Sequence, residues 1–166
     1  MTATRPQIIS TFVHKAGSVK VKWFDIDSEL PNLPWQQVYI VGNINNKVPI
    51  VHYGGEDRDN LPGGKTEPGE TIDETIHREA LEELNCSVES WVPLGYQECT
   101  QEDGRVLYQL RVAARLTALG PFKNDPGGAV IGYSLVSLES LNEHIGYGEI
   151  GDRLVELGQG RGFGQN

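Results

Sequence analysis

The sequence predicts an α/β fold, and three observations carry that prediction. The run Val106 to Leu116 alternates apolar and polar residues with the period of a strand. Shorter extended runs flank it, bounded by Gly, Pro, Asn and Asp. A well-marked amphipathic helix, Ile72 to Leu84, lies between them, and two helically spaced segments close the chain.

The elements follow in order. Met1 to Pro6 reads as a loose terminus. Val19 to Phe24 alternates as a first strand, and Asp25 to Pro34 is a turn-rich connection. Gln37 to Val41 and Val48 to Tyr53 are the next strands, with Pro49 pointing to an edge or a bulge. Gly54 to Asn60, which includes Glu56, Asp57 and Arg58, is a polar loop. Leu61 to Gly64 opens a glycine-rich turn. Thr71 with Glu74 forms a capping box, so the helix begins at Ile72; Asn85 serves as its left-handed cap. Val88 to Thr100 is extended, and Glu102-Asp103-Gly104 turns the chain into the alternating strand. In that strand Gln109, Arg111 and Arg115 share one face; Arg111 and Arg115 are expected to face solvent rather than meet phosphate. Gly120 to Gly128 is a loop and Ala129 to Val136 a strand. Leu138, Leu141 and Ile145 are helically spaced between Ser137 as N-cap and Gly146 as stop. Ile150, Leu154 and Leu157 repeat the spacing up to Gly158. One domain over residues 1–158 is expected, with a flexible glycine-rich tail over 159–166.

Composition narrows the function. The 166 residues suit one domain, and 38% hydrophobic with 22% charged residues is ordinary for a globular chain. A net charge of −9 repels a nucleic acid backbone, so duplex binding is not expected. No apolar run reaches membrane-span length, and Met1 to Ser18 has no signal-peptide core, which makes a cytoplasmic location the default expectation. Two cysteines, Cys86 and Cys99, do not make a disulfide scaffold, and Cys86, at the end of the apolar helix pattern, is expected as a buried free thiol. His14, His52, His77 and His144 show no metal spacing. Trp23, Trp35 and Trp91 read as core residues.

The chemistry concentrates in Gly63 to Cys86. Glu79, Glu82 and Glu83 lie at i, i+3 and i+4, so like charges crowd one side of the helix. With Ile72 at zero on the helical wheel, Glu83 falls at about 20° and Glu79 at about −20°, on the apolar stripe of Ile72, Ile76, Ala80 and Leu84. Burying unpaired carboxylates is costly. Either the core edge is open to water there, or a cation neutralises the pair. A hard divalent cation suits carboxylate oxygens.

This stretch resembles the Nudix box, the pattern G-x5-E-x7-R-E-u-x-E-E-x-G-u of the Nudix hydrolase family, with u an aliphatic residue. Gly64, Glu70, Arg78, Glu79, Glu82 and Glu83 match. Asn85 replaces the final glycine and Cys86 the final aliphatic residue; Ala80 is a small version of its own position. The box spans residues 64–86. The resemblance implies an α/β/α sandwich with a mixed sheet. It implies a hydrolase that cleaves the diphosphate linkage of a nucleoside diphosphate derivative by water attack on phosphorus, with Mg²⁺ or Mn²⁺. By that analogy Glu79 and Glu83 are metal ligands and Glu82 is a further ligand or proton acceptor. The carbonyl of Gly63 completes the shell, and Glu70 and Arg78 pair as supports beside Gly64. An additional acid from a later loop is sought among Glu98, Glu102 and Asp125. The substrate implied is a small nucleotide-type molecule, and many relatives are homodimers. The loops Gly54 to Asn60 and Pro121 to Gly128 are expected to shape the pocket. The contrasting reading is a nucleotide-binding or regulatory domain with weak catalysis. Diphosphate isomerisation on the same fold needs a placed cysteine, which neither Cys86 nor Cys99 supplies.

Overall fold

The computed structural model describes residues 5–55 and 59–161. The expected loose terminus up to residue 4, residues 56–58 of the polar loop and residues 162–166 of the tail lie outside the described residues. Six strands form one sheet in the order β1 (Ile8–His14), β2 (Gly17–Asp25), β7 (Cys86–Thr100), β8 (Val106–Ala118), β3 (Trp35–Asn43) and β6 (Gly63–Lys65). Among the described residues only β3 and β8 pair in parallel, so the sheet is mixed. A smaller antiparallel sheet runs β5 (Asp59–Asn60), β4 (Val48–Tyr53) and β9 (Val130–Val136).

Alternation along the central strands builds two cores. On one face Val38, Ile40, Leu110, Val112 and Ala114 pack under Ile76, Ala80 and Leu84 of helix α1 (Ile72–Leu84). On the other, Val21, Trp23, Val41, Leu94 and Ala113 pack under helices α2 (Leu141–Ile145) and α3 (Gly148–Gly160) through Leu141, Ile145, Ile150 and Leu154. Each Leu or Ile buried this way contributes about 1.5–3 kcal/mol. The result is the expected α/β/α sandwich around a mixed sheet.

Helix α1 has the predicted bounds. Thr71 Oγ1 accepts from Glu74 N, Glu74 Oε1 accepts from Thr71 N, and Asn85 takes the left-handed conformation at φ 50°, ψ 49°. Other boundaries move. Strand β1 goes unanticipated because it is an edge strand with exposed apolar residues such as Val13. The glycine turn becomes a strand, since Gly63 and Gly64 pair with Tyr39 and Val38. Pro49 lies within β4 opposite Leu135, where β5, paired only at Val51 and His52, does not reach. Ser140, not Ser137, caps α2, and α3 continues past Gly158 to Gly160.

Arg111 requires a correction. It is not solvent-facing but 3% exposed. β8 lies between β7 and β3 with helices over both faces, so its polar face is a second interior; Arg115, nearer the strand end, is exposed.

Candidate active site

The second half of α1 and strand β6 meet along a cleft of about 770 Å³. Its lining includes Tyr53, Gly63, Lys65, Glu67, Arg78, Glu79, Glu82, Glu83 and Asp125. The wheel arithmetic holds: Glu79 is 8% exposed and Glu83 5%, each beside the apolar stripe, while Glu82 is half-buried.

Gly63 N donates to Glu83 Oε1 at 2.6 Å. The glycine is required here, because its φ is +144° and a Cβ would stand 2.1 Å from the carbonyl oxygen of Val38. Gly64 leaves room for the other buried acid, since a Cβ there would come within 2.7 Å of Glu79 Oε1. The two supports pair as the resemblance implies. Arg78 Nε donates to Glu70 Oε2 at 2.7 Å and Nη2 to Glu70 Oε1 at 2.9 Å, a two-pronged contact. Nη2 also donates to the Lys65 carbonyl at 2.9 Å, tying α1 to β6, and Thr75 Oγ1 donates to Glu70 Oε1 at 2.5 Å. Arg78 Nη1 reaches Glu79 Oε1 at 3.0 Å and Glu82 Oε2 at 3.4 Å.

One guanidinium therefore serves several carboxylates. The Arg78 contact holds Glu70 down at about 2. Burial pushes Glu83 up to about 8, and the neighbouring Glu79 and Asp125 charges add to that rise against the Gly63 bond. Burial raises Glu79 as well, opposed by Arg78. Like-charged buried carboxylates resist ionising together unless a cation joins them. This donor set fits a hard divalent ion. Among the described residues no three His, Cys, Asp or Glu side chains converge into a metal cage.

Of the candidate additional acids, the structure brings only Asp125 to the cleft. Its carboxylate is also anchored, accepting from Gly127 N and Val130 N at 3.0 Å each. Glu98 stands 3.9 Å from Lys22, and Glu102 accepts from Ser18 N at 2.9 Å, both elsewhere. Pro126 and Gly127 line the cleft beside Asp125, as expected of the loop Pro121 to Gly128, and Ala129 just past it lines the cleft too. His77 lies 3.6 Å from Asp73 on the exposed face of α1, and both cysteines are free and buried. Tyr53 and Lys65 are cleft residues that the sequence did not single out; no motif marks them, because strand pairing brings them there.

The NUDIX domain family matches residues 38–155 of the chain. Among solved structures, a mutant of the Bacillus subtilis pyrophosphohydrolase superposes with a TM-score of 0.61 at 23% identity, covering 76% of each chain. A NUDIX hydrolase from Nitrosomonas europaea gives 0.63 at 21%, covering 78% of this chain and 90% of that one. A UDP-X diphosphatase gives 0.55 at 20%, covering 81% and 67%. No curated protein sequence matches. Among the described residues no helix is long and apolar enough to cross a membrane.

Proposed function

The chain belongs to the NUDIX domain family and is a Nudix-type hydrolase, and we propose that it is a metal-dependent enzyme cleaving the diphosphate linkage of a nucleoside diphosphate derivative. The observation that carries this reading is the burial of Glu79 and Glu83 side by side at the cleft wall, where a divalent cation resolves their mutual repulsion. The solved pyrophosphohydrolase and diphosphatase neighbours support cleavage of a phosphoanhydride. A small nucleotide-type substrate and a cytoplasmic location go with the reading, and a surface of net charge −9 disfavours duplex nucleic acid.

Glu79 and Glu83, with the carbonyl of Gly63 and with Glu82 as a further oxygen, would hold Mg²⁺ or Mn²⁺. Bound there, the ion would offset charge on the phosphates and acidify a water. Glu82, half-buried and bonded only at 3.4 Å to Arg78, is placed to take a proton from the attacking water. Gly63 N fixes one oxygen of Glu83 and so orients the other. Arg78 and Glu70 hold α1 against β6, which sets the distance between the carboxylates and the glycine backbone.

The test is a screen of nucleoside triphosphates, nucleotide sugars, dinucleoside polyphosphates and ADP-ribose with Mg²⁺, with products identified. Mg²⁺-dependent release of a nucleoside monophosphate or pyrophosphate from at least one class is expected, and chelator abolishes it. Tight nucleotide binding with no phosphoanhydride cleaved overturns the catalytic reading in favour of a binding domain.

A further inference from the structure

Arg111 stands out beyond the carboxylate site. It is 3% exposed, and among the described residues no carboxylate pairs with it. Its Nη2 donates to Gln97 Oε1 at 2.5 Å and to Gln109 Oε1 at 3.4 Å. Nε and Nη1 are buried with no hydrogen-bond partner. Those two nitrogens carry most of the side chain's donors. An arginine with a purely structural role is normally surrounded by carbonyls or a carboxylate, since a buried unpaired charge costs several kcal/mol.

Aromatic rings and amides enclose the guanidinium. The guanidinium carbon lies 4.6 Å over the Tyr39 ring and 5.8 Å from the Tyr147 ring. The underlying sheet supplies amides rather than acids: Gln97, Gln109 and, bonded to Gln109, Gln37. Arg111 adjoins the carboxylate site through Tyr39, because Tyr39 pairs with Gly63, whose N–H holds Glu83. Tyr147 closes the outer side. It sits between Gly146 (φ 64°) and Gly148 (φ 59°) on the short link from α2 to α3, and its hydroxyl meets Asn60. Asn142 holds the backbone of that link, accepting from Tyr147 N at 2.9 Å and donating to the Gly148 carbonyl at 2.9 Å, so the half-buried Tyr147 ring can turn about its own side-chain bonds without disturbing a strand.

We infer that Arg111, with Tyr147 as a movable cover, forms a second, metal-independent anion site that takes a phosphate group. The proposal rests on the hydrolase reading only for the ligand's identity as part of a nucleotide substrate. A phosphate there meets the unpaired Nε and Nη1 donors and cancels the buried charge. Held beside Tyr39, whose strand partner Gly63 bonds Glu83, it orients the remainder of the substrate along the cleft.

The experiment titrates inorganic phosphate and pyrophosphate into metal-free protein in chelator, followed by calorimetry and by the thermal midpoint. Wild type is expected to bind and to melt higher with phosphate. Arg111→Met is expected to fold, with a midpoint at or above wild type, because it removes an unpaired buried charge. It is expected to bind phosphate at least ~10-fold more weakly, the loss of a charge-assisted contact worth about 1.4 kcal/mol or more. If Arg111→Met does not fold, Arg111→Lys is read in its place, with the same loss expected because the planar donor set is gone. Glu79→Gln, with no turnover, should bind phosphate like wild type, so failure of this site and failure of the hydrolase reading separate. No phosphate binding by metal-free wild type, or undiminished binding in the folded Arg111 variant, overturns the proposal.

Discussion

Gly63 N donates to Glu83 Oε1 at 2.6 Å, joining the edge strand β6 to the buried side of α1. This buried bond spans 20 positions in sequence and lies at the wall of the cleft. It holds Glu83 ionisable in a place that otherwise favours the neutral acid. The cleft thus carries stored electrostatic cost, and its release by a cation gives the first expectations.

Glu79→Gln and Glu83→Gln should each fold and each lower metal-dependent turnover by roughly 10²–10⁴-fold, the several kcal/mol that charge stabilisation by a metal supplies. Because each removes a buried like charge, thermal midpoints without metal should equal or exceed wild type. The check is steady-state kinetics on the best substrate beside a metal-free melt. A variant with near wild-type rate removes its glutamate from the site.

Stability of the metal-free protein should fall as pH rises. Glu83 has a folded value of about 8 against an ordinary 4.5, so the folded state binds more protons than the unfolded one between those values. By linkage the stability slope is then negative through that window, at most about 1.4 kcal/mol per pH unit for one group. Glu79 shifts the same way. Mg²⁺ should stabilise more at pH 8 than at pH 5.5, since its binding displaces a proton at the lower pH. Calorimetric melts with and without Mg²⁺ measure this, and Glu83→Gln should flatten the metal-free slope.

The Glu70–Arg78 pair makes the opposite pH claim. Arg78 holds Glu70 at about 2, below its ordinary 4.5, so its contribution is complete above about 4.5 and fades as pH falls toward 2. Glu70→Gln and Arg78→Lys should lower turnover about 10–100-fold through misplaced ligands. Arg78→Lys loses both the two-pronged contact and the reach to the Lys65 carbonyl. Metal titrations should show weaker binding in both variants, while loss of turnover at unchanged metal affinity contradicts the positioning role.

What the sequence made legible was local. The capping box, the helix bounds and the placement of Glu79 and Glu83 follow from spacing within a thirteen-residue helix and its two caps, where helical geometry is fixed. What it hid came from pairing across the chain. Gly63 and Gly64 read as a turn because a three-residue edge strand has no period of its own. Arg111 read as solvent-facing because alternation marks two faces but not what covers each of them. Asp125 stood level with Glu98 and Glu102 until the fold brought it to the cleft that Glu83 lines.

Asn85, the departure from the box, should prove to be an anchor as well as a cap. Its left-handed backbone costs an asparagine more than a glycine. In return Nδ2 donates to the Pro121 carbonyl at 3.0 Å, and the Asn85 carbonyl accepts from Leu119 N at 3.0 Å. Both contacts hold the start of the loop that carries Asp125. Asn85→Gly relieves the backbone but orphans the Pro121 carbonyl, so the two effects, each about 1 kcal/mol, should nearly cancel in stability. Asn85→Ala keeps the backbone cost and loses the bond, and should destabilise by about 1–2 kcal/mol. Denaturant melts give both values. Hydrogen exchange should then show the 120–128 segment opening faster in Asn85→Gly despite its unchanged midpoint; exchange at the wild-type rate there would show that the loop does not depend on the side chain.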